Sequence, residues 1–137
     1  MNNAPLPRVL CVDDEPAMLR SLRWLLRGRY EVAVAASGLD ALALLGATKF
    51  DVVISDQRMP GMSGVEFLKR ARQVSPRSVR LLLTSHAEFN AVQASVSDCK
   101  IFRFISKPWD NPQLLKTLSD AARIARIDTP TDTVPAV

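Results

Sequence analysis

Five times along this chain a short apolar run is followed by a stretch whose apolar residues recur at helical spacing, and no other feature limits the fold so tightly. The runs are RVLCV at 8–12, EVAVA at 31–35, the segment through Val52, Val53 and Ile54, residues 79–83 and residues 101–105. Pro16 suits the first turn of a helix, where a missing N–H costs nothing, and Leu19, Leu22, Leu25 and Leu26 carry its stripe as far as Gly28. Ser37 caps a second helix, with Ala41, Leu42, Leu44 and Leu45 inward, that stops at Gly46. Residues 64–73 predict a third helix with Val65, Leu68 and Ala71 inward; residues 87–96 predict a fourth with Phe89, Val92 and Val96. The fourth stripe is interrupted by Gln93, Ser95 and Ser97, so it should be the least firmly packed. A fifth helix from about Asn111 aligns Leu114, Leu115, Leu118, Ala121, Ala122 and Ala125. Strands alternating with helices through short turns give an α/β fold, a five-stranded parallel sheet doubly wound with helices on both faces. The common strand order for such a unit is 2-1-3-4-5, with its switch point between strands one and three.

Composition adds bounds. At 137 residues and 47% hydrophobic the chain is long enough to bury one core without staples. Residues 1–7, with two prolines and no periodicity, predict a flexible lead-in; residues 8–127 are the domain; residues 128–137 predict a linker or disordered tail. Cys11 and Cys99 form no metal-spaced set and predict reduced thiols in a cytoplasmic protein. No secretory leader or membrane-length apolar stretch is present, so no membrane partner is expected. The net charge of +4 owes part to Arg20, Arg23 and Arg27, which share one helix face, and to Arg29. No nucleic-acid signature accompanies them, and direct nucleic-acid binding by this segment is not expected.

The strand ends carry the chemistry. In open parallel sheets ligands bind at the carboxyl rim, and here the first strand ends in Asp13, Asp14 and Glu15, the third in Asp56, the fourth in Thr84 and Ser85, and the fifth is followed by Ser106 and Lys107. Singly, each has an ordinary explanation: an Asp before the turn at 59–61 is a turn former, an Asp pair ahead of a helix is a cap, and a lysine before a proline is solvated. All of them on successive rim positions are not explained by turn preferences. Three carboxylates converging on one cleft repel one another unless a cation sits among them, and Mg2+ (or Mn2+) prefers oxygen ligands. With Thr84 offering a hydroxyl and Lys107 an ammonium, the rim is a receptor for a phosphoryl group placed on a carboxylate.

The segments VLCVDDEP, DVVISDQRMPGMSG, LLLTSHAE and FRFISKPW, in this order and spacing, resemble the CheY-like receiver domain of bacterial two-component response regulators over roughly residues 8–127. The resemblance implies the flavodoxin-like receiver fold and phosphorylation of Asp56 by a partner histidine kinase or histidine phosphotransfer protein. Asp14, Asp56 and the Arg58 backbone carbonyl would coordinate magnesium, and Asp13 would act through water. Lys107 would pair with the acyl phosphate, Thr84 would swing to a phosphate oxygen, and Phe104 on the fifth strand would couple that motion to the face made by the fourth helix, fifth strand and fifth helix. Phe104 lacks the hydroxyl that many relatives carry as tyrosine, so its burial should depend on volume alone. Arg58 and His86 would tune dephosphorylation. The switching face would control an output domain or a downstream protein, and it is also a candidate homodimer surface. The chain would not be an enzyme beyond accepting and losing its own phosphoryl group. Two rivals remain: a haloacid-dehalogenase-like phosphatase with Asp13 as nucleophile, for which Glu15 stands where a second Asp is expected and Asp110 alone stands where an acidic pair is expected after Lys107, and a non-phosphorylated receiver-like binding module.

Overall fold

The apolar runs pair side by side into one parallel sheet, and the stripes between them cover both of its faces. A computed structural model describes residues 5–93 and 99–127 of the chain. The elements run β1 (Arg8–Val12), α1 (Pro16–Leu26), β2 (Glu31–Ala35), α2 (Gly38–Ala47), β3 (Val52–Asp56), α3 (Gly64–Val74), β4 (Val79–Thr84), α4 (His86–Val92), β5 (Ile101–Ser106) and α5 (Asn111–Ile127). The strand order is β2-β1-β3-β4-β5, as the alternation predicts. β1 lies between β2 and β3 with Cys11 opposite Val34 on one side and Ile54 on the other; Asp56 stands opposite Leu83, and Thr84 opposite Ser106.

Because successive side chains alternate across a sheet, each central strand feeds two cores. Leu10, Val12, Val53 and Leu82 join Ala41, Leu45, Val65, Phe67 and Leu68 beneath α2 and α3. Val9, Cys11, Val52, Ile54, Leu81 and Leu83 join Leu22, Leu26, Leu114, Leu118 and Ala121 beneath α1 and α5. Phe67, absent from the stripe expected of the third helix, is fully buried. All five residues of β3 are buried, which is why this strand reads as an unbroken apolar run up to its terminal acid.

Helix ends follow their caps. Ser37 accepts from the Asp40 N–H at 3.1 Å, as predicted. The expected fourth helix of 87–96 begins one residue earlier, at His86, because Ser85 is its cap and forms a reciprocal capping box with Glu88. Residues 94–98, with Val96 of the predicted stripe, lie outside the described residues, as do residues 1–4 and the proposed tail at 128–137. Within the expected lead-in, the Pro7 carbonyl accepts from Glu31 N at 2.9 Å and the Pro5 carbonyl from Arg126 at 3.2 Å. Among the described residues no helix is long and apolar enough to cross a membrane.

Candidate acidic phosphoryl site

The rim at the carboxyl ends of the strands gathers the predicted polar side chains. β1 ends at Val12, so Asp13 and Asp14 are the first residues off the strand; the Asp13 N–H donates to the Ala35 carbonyl at 3.1 Å, and its Oδ1 accepts from Glu15 N at 2.9 Å. Asp56 closes β3, almost wholly buried. One carboxylate oxygen from each of Asp13, Asp14 and Asp56 lies within 4.8 Å of the others. The Asp13 oxygen that Glu15 N does not engage, Oδ2, is buried with no hydrogen-bond partner. An orphaned buried carboxylate oxygen beside two further acids is a donor set suited to a hard divalent cation.

The electrostatics follow. Burial, reinforced by Asp56 and opposed by the Glu15 N–H, pushes the Asp13 carboxyl up to about 6. Burial also raises Asp56, although Lys107 Nζ, 2.5 Å from Asp56 Oδ1, works against it. For Lys107 burial lowers the pKa, but the hydrogen bond and charge of Asp56 outweigh it and the net direction is up. Lys107 is held at this place by the end of β5: its N–H donates to the Thr84 carbonyl at 3.1 Å, and a cis peptide joins it to Pro108.

The turn after β3 is fastened under the site. Gly64 N and Val65 N both donate to Gln57, to its carbonyl and its Oε1 respectively, each at 2.9 Å. A Cβ on Gly64 would come within 2.3 Å of the Asp56 carbonyl oxygen, so only glycine lets α3 start this close to the acid. Gln57, buried in this role, carries no sequence signal that separates it from a solvated turn residue.

The remaining predicted residues stand on the β4 and β5 side. The buried Thr84 points its hydroxyl at the Ser85 carbonyl (3.2 Å) and the Glu88 carboxylate (3.5 Å), which belong to the start of α4. The Arg58 side chain reaches across the rim to Glu88, with Nε 2.9 Å from Oε2. Phe104 is 37% exposed and meets Phe89 edge to face, ring centroids 4.8 Å apart. His86, exposed at the first position of α4, lines a hollow of about 220 Å³ with Thr84, Phe89 and Phe104. A larger hollow, about 610 Å³, lies around Phe50, Asp51 and Pro76 at the opposite ends of the strands and contains none of the predicted site residues. Glu88, which touches both Thr84 and Arg58, was not singled out from the sequence. Its signal was legible, since Ser85-x-x-Glu88 is a capping-box pattern.

Comparison with known proteins agrees with the fold. The response regulator receiver domain matches residues 9–119. The hydrogenase transcriptional regulatory protein HoxA of Bradyrhizobium diazoefficiens is 36% identical over 125 residues, 91% of this chain and 26% of HoxA. The chain therefore spans about a quarter of that relative's length. Among solved structures, the signal receiver domain of an HD domain-containing protein from Pseudomonas fluorescens superposes with a TM-score of 0.84 at 31% identity, covering 92% of this chain and 93% of that one. The chemotaxis response regulator CheY4 of Vibrio cholerae gives 0.76 at 34% identity, covering 85% and 98%.

Proposed function

The chain belongs to the response regulator receiver family, and from that premise we propose that Asp56 accepts a phosphoryl group from a partner histidine kinase or phosphotransfer protein. The observation that carries the reading is the meeting of Asp13, Asp14 and Asp56 within 4.8 Å while Lys107 bonds Asp56. Family membership also disfavours the phosphatase rival, whose nucleophile would be Asp13.

In this reading Asp56 Oδ2, the oxygen not engaged by Lys107, attacks the phosphorus of a phosphohistidine. The P–N bond breaks, the imidazole leaves, and an acyl phosphate forms on Asp56. Asp14, Asp56 and the Arg58 carbonyl would hold a divalent cation, with Asp13 acting through water, and such a cation would supply positive charge to the phosphoryl oxygens. Lys107 neutralises further charge from the other side of Asp56. Thr84 leaves Ser85 and Glu88 to donate to a phosphoryl oxygen, and the hollow beside it gives Phe104 room to follow. Arg58 and His86, at the edge of the cleft, tune the attack of water that reverses the modification. The α4, β5 and α5 face then changes its affinity for an output domain, a downstream protein or a second copy of the chain.

Intact-mass measurement after incubation with acetyl phosphate and Mg2+ tests the reading. The native chain and Asp13→Asn should be able to gain one phosphoryl group, the latter more slowly, while Asp56→Asn should gain none. Loss of the added mass in Asp13→Asn alone would favour the phosphatase. No gain in any folded version would leave only a binding module.

A further inference from the structure

We propose that Glu88 is a positioning residue that fastens Arg58 and the Thr84 hydroxyl away from Asp56 until a phosphoryl group arrives; the inference rests on the phosphoacceptor reading above. One carboxylate makes the three contacts. Oε1 accepts from Ser85 N at 3.2 Å and stands 3.5 Å from Thr84 Oγ1, while Oε2 pairs with Arg58 Nε at 2.9 Å. Glu88 thus links the turn after β3 to the turn after β4, the two segments that flank the reacting carboxylate.

Its charge gives the link a direction. Its contacts to Arg58, two residues beyond Asp56, and to Thr84 at the end of the strand paired with β3 place the carboxylate on the same rim as Asp56. A phosphoryl group on Asp56 brings further negative charge towards Glu88, offers Arg58 a competing anion, and draws the Thr84 hydroxyl to itself. Contacts with both Arg58 and Thr84 are weakened by the same event. The Glu88 side chain is only 17% exposed, so solvent screens this repulsion less than it would on an open surface. Glu88 therefore opposes the phosphorylated arrangement, and the start of α4 is free to rearrange once that opposition is overcome. α4 offers little resistance, since among the described residues it has none buried.

Beryllofluoride with Mg2+, a non-covalent stand-in for the acyl phosphate, tests the proposal on the full chain through tryptophan emission, Trp109 lying two residues from Lys107. The variants are Glu88→Gln, Glu88→Asp and Asp56→Asn. Gln keeps an oxygen for the Ser85 N–H and so keeps the cap, but loses the charge. Glu88→Gln should bind beryllofluoride about three- to tenfold more tightly than the native chain, with the gain shrinking in high salt. Glu88→Asp, which keeps the charge, should stay close to native, and the unfolding midpoint of Glu88→Gln should be nearly unchanged. Binding by Glu88→Gln equal to or weaker than native, or equal tightening by Glu88→Asp, would overturn the proposal and leave the phosphoacceptor reading intact. Absence of binding by the native chain, indistinguishable from Asp56→Asn, would bring down that reading and the proposal with it.

Discussion

The two halves of the rim are built differently. On the β1 and β3 side every residue of β3 is buried and Asp13 is wholly buried. On the β4 and β5 side the described part of α4 buries no residue, and of β5 only Ile105 is buried. The acids are thus held by elements that cannot shift without opening a core, as is Thr84 at the end of the buried β4, while Phe104 and Glu88 belong to elements that could rearrange at small cost. A phosphoacceptor needs fixed geometry at the point of chemistry and a compliant neighbour to report it. In this molecule the division falls between β3 and the α4–β5 corner.

Substitutions can break or sharpen that contrast. The largest effect is expected at Phe67, fully buried under α3: Phe67→Ala should cost about 3–5 kcal/mol in denaturant unfolding. Asp13 comes next. Its pKa of about 6 lies above the ordinary carboxylate value of 3.8, so the folded state binds the proton more tightly than the unfolded state. Metal-free stability should therefore fall as pH rises from about 4 to about 6, by up to about 3 kcal/mol, and stay low above that. Asp13→Asn should shrink the fall, leaving the part that the raised Asp56 carboxyl contributes, and stabilise the metal-free protein at neutral pH; an unchanged pH profile would show that the orphaned oxygen carries no penalty. Gly64→Ala should cost about 2–3 kcal/mol, because its Cβ meets the Asp56 backbone and the turn cannot yield without moving the acid. On the compliant side Phe89→Ala should cost only about 1 kcal/mol, since the ring is half-buried and loses one edge-to-face partner. A loss as large as that of Phe67→Ala would refute the contrast. The smallest effect belongs to Asp120, where hydrogen bonds from Arg103 and Arg123 hold the carboxyl down to about 2 and tie β5 to α5. Its stabilisation is present above the ordinary carboxylate pKa and fades between about pH 4 and about pH 2; because the pairs lie at the surface it is small, so Asp120→Asn should differ from native near neutrality only by a slightly looser β5 in hydrogen exchange, and that difference should vanish near pH 2.

The order of the strands was legible because periodicity alone separates runs that alternate with helices from runs that form hairpins, and the crossover rule leaves few topologies. The convergence of Asp13, Asp14 and Asp56 followed from that order, since strands one and three are neighbours at its switch point. Phe67 was missed because the expected stripe took Val65, Leu68 and Ala71 alone, and α3 buries a wider face than that. Gln57 and the Arg58–Glu88 pair were missed for another reason: a polar residue in a turn looks the same in sequence whether it faces water or a neighbouring turn.

Sequence by itself determined the sheet, its order and the acidic rim, because each follows from local periodicity and from residues adjacent to strand ends. Only the tertiary structure decided which oxygen of Asp13 lacks a partner, that Lys107 reaches Asp56, that Phe104 lies partly exposed against Phe89, and that Glu88 joins two turns. Those facts depend on distances between segments far apart in the chain, which are fixed when the two cores close around the sheet.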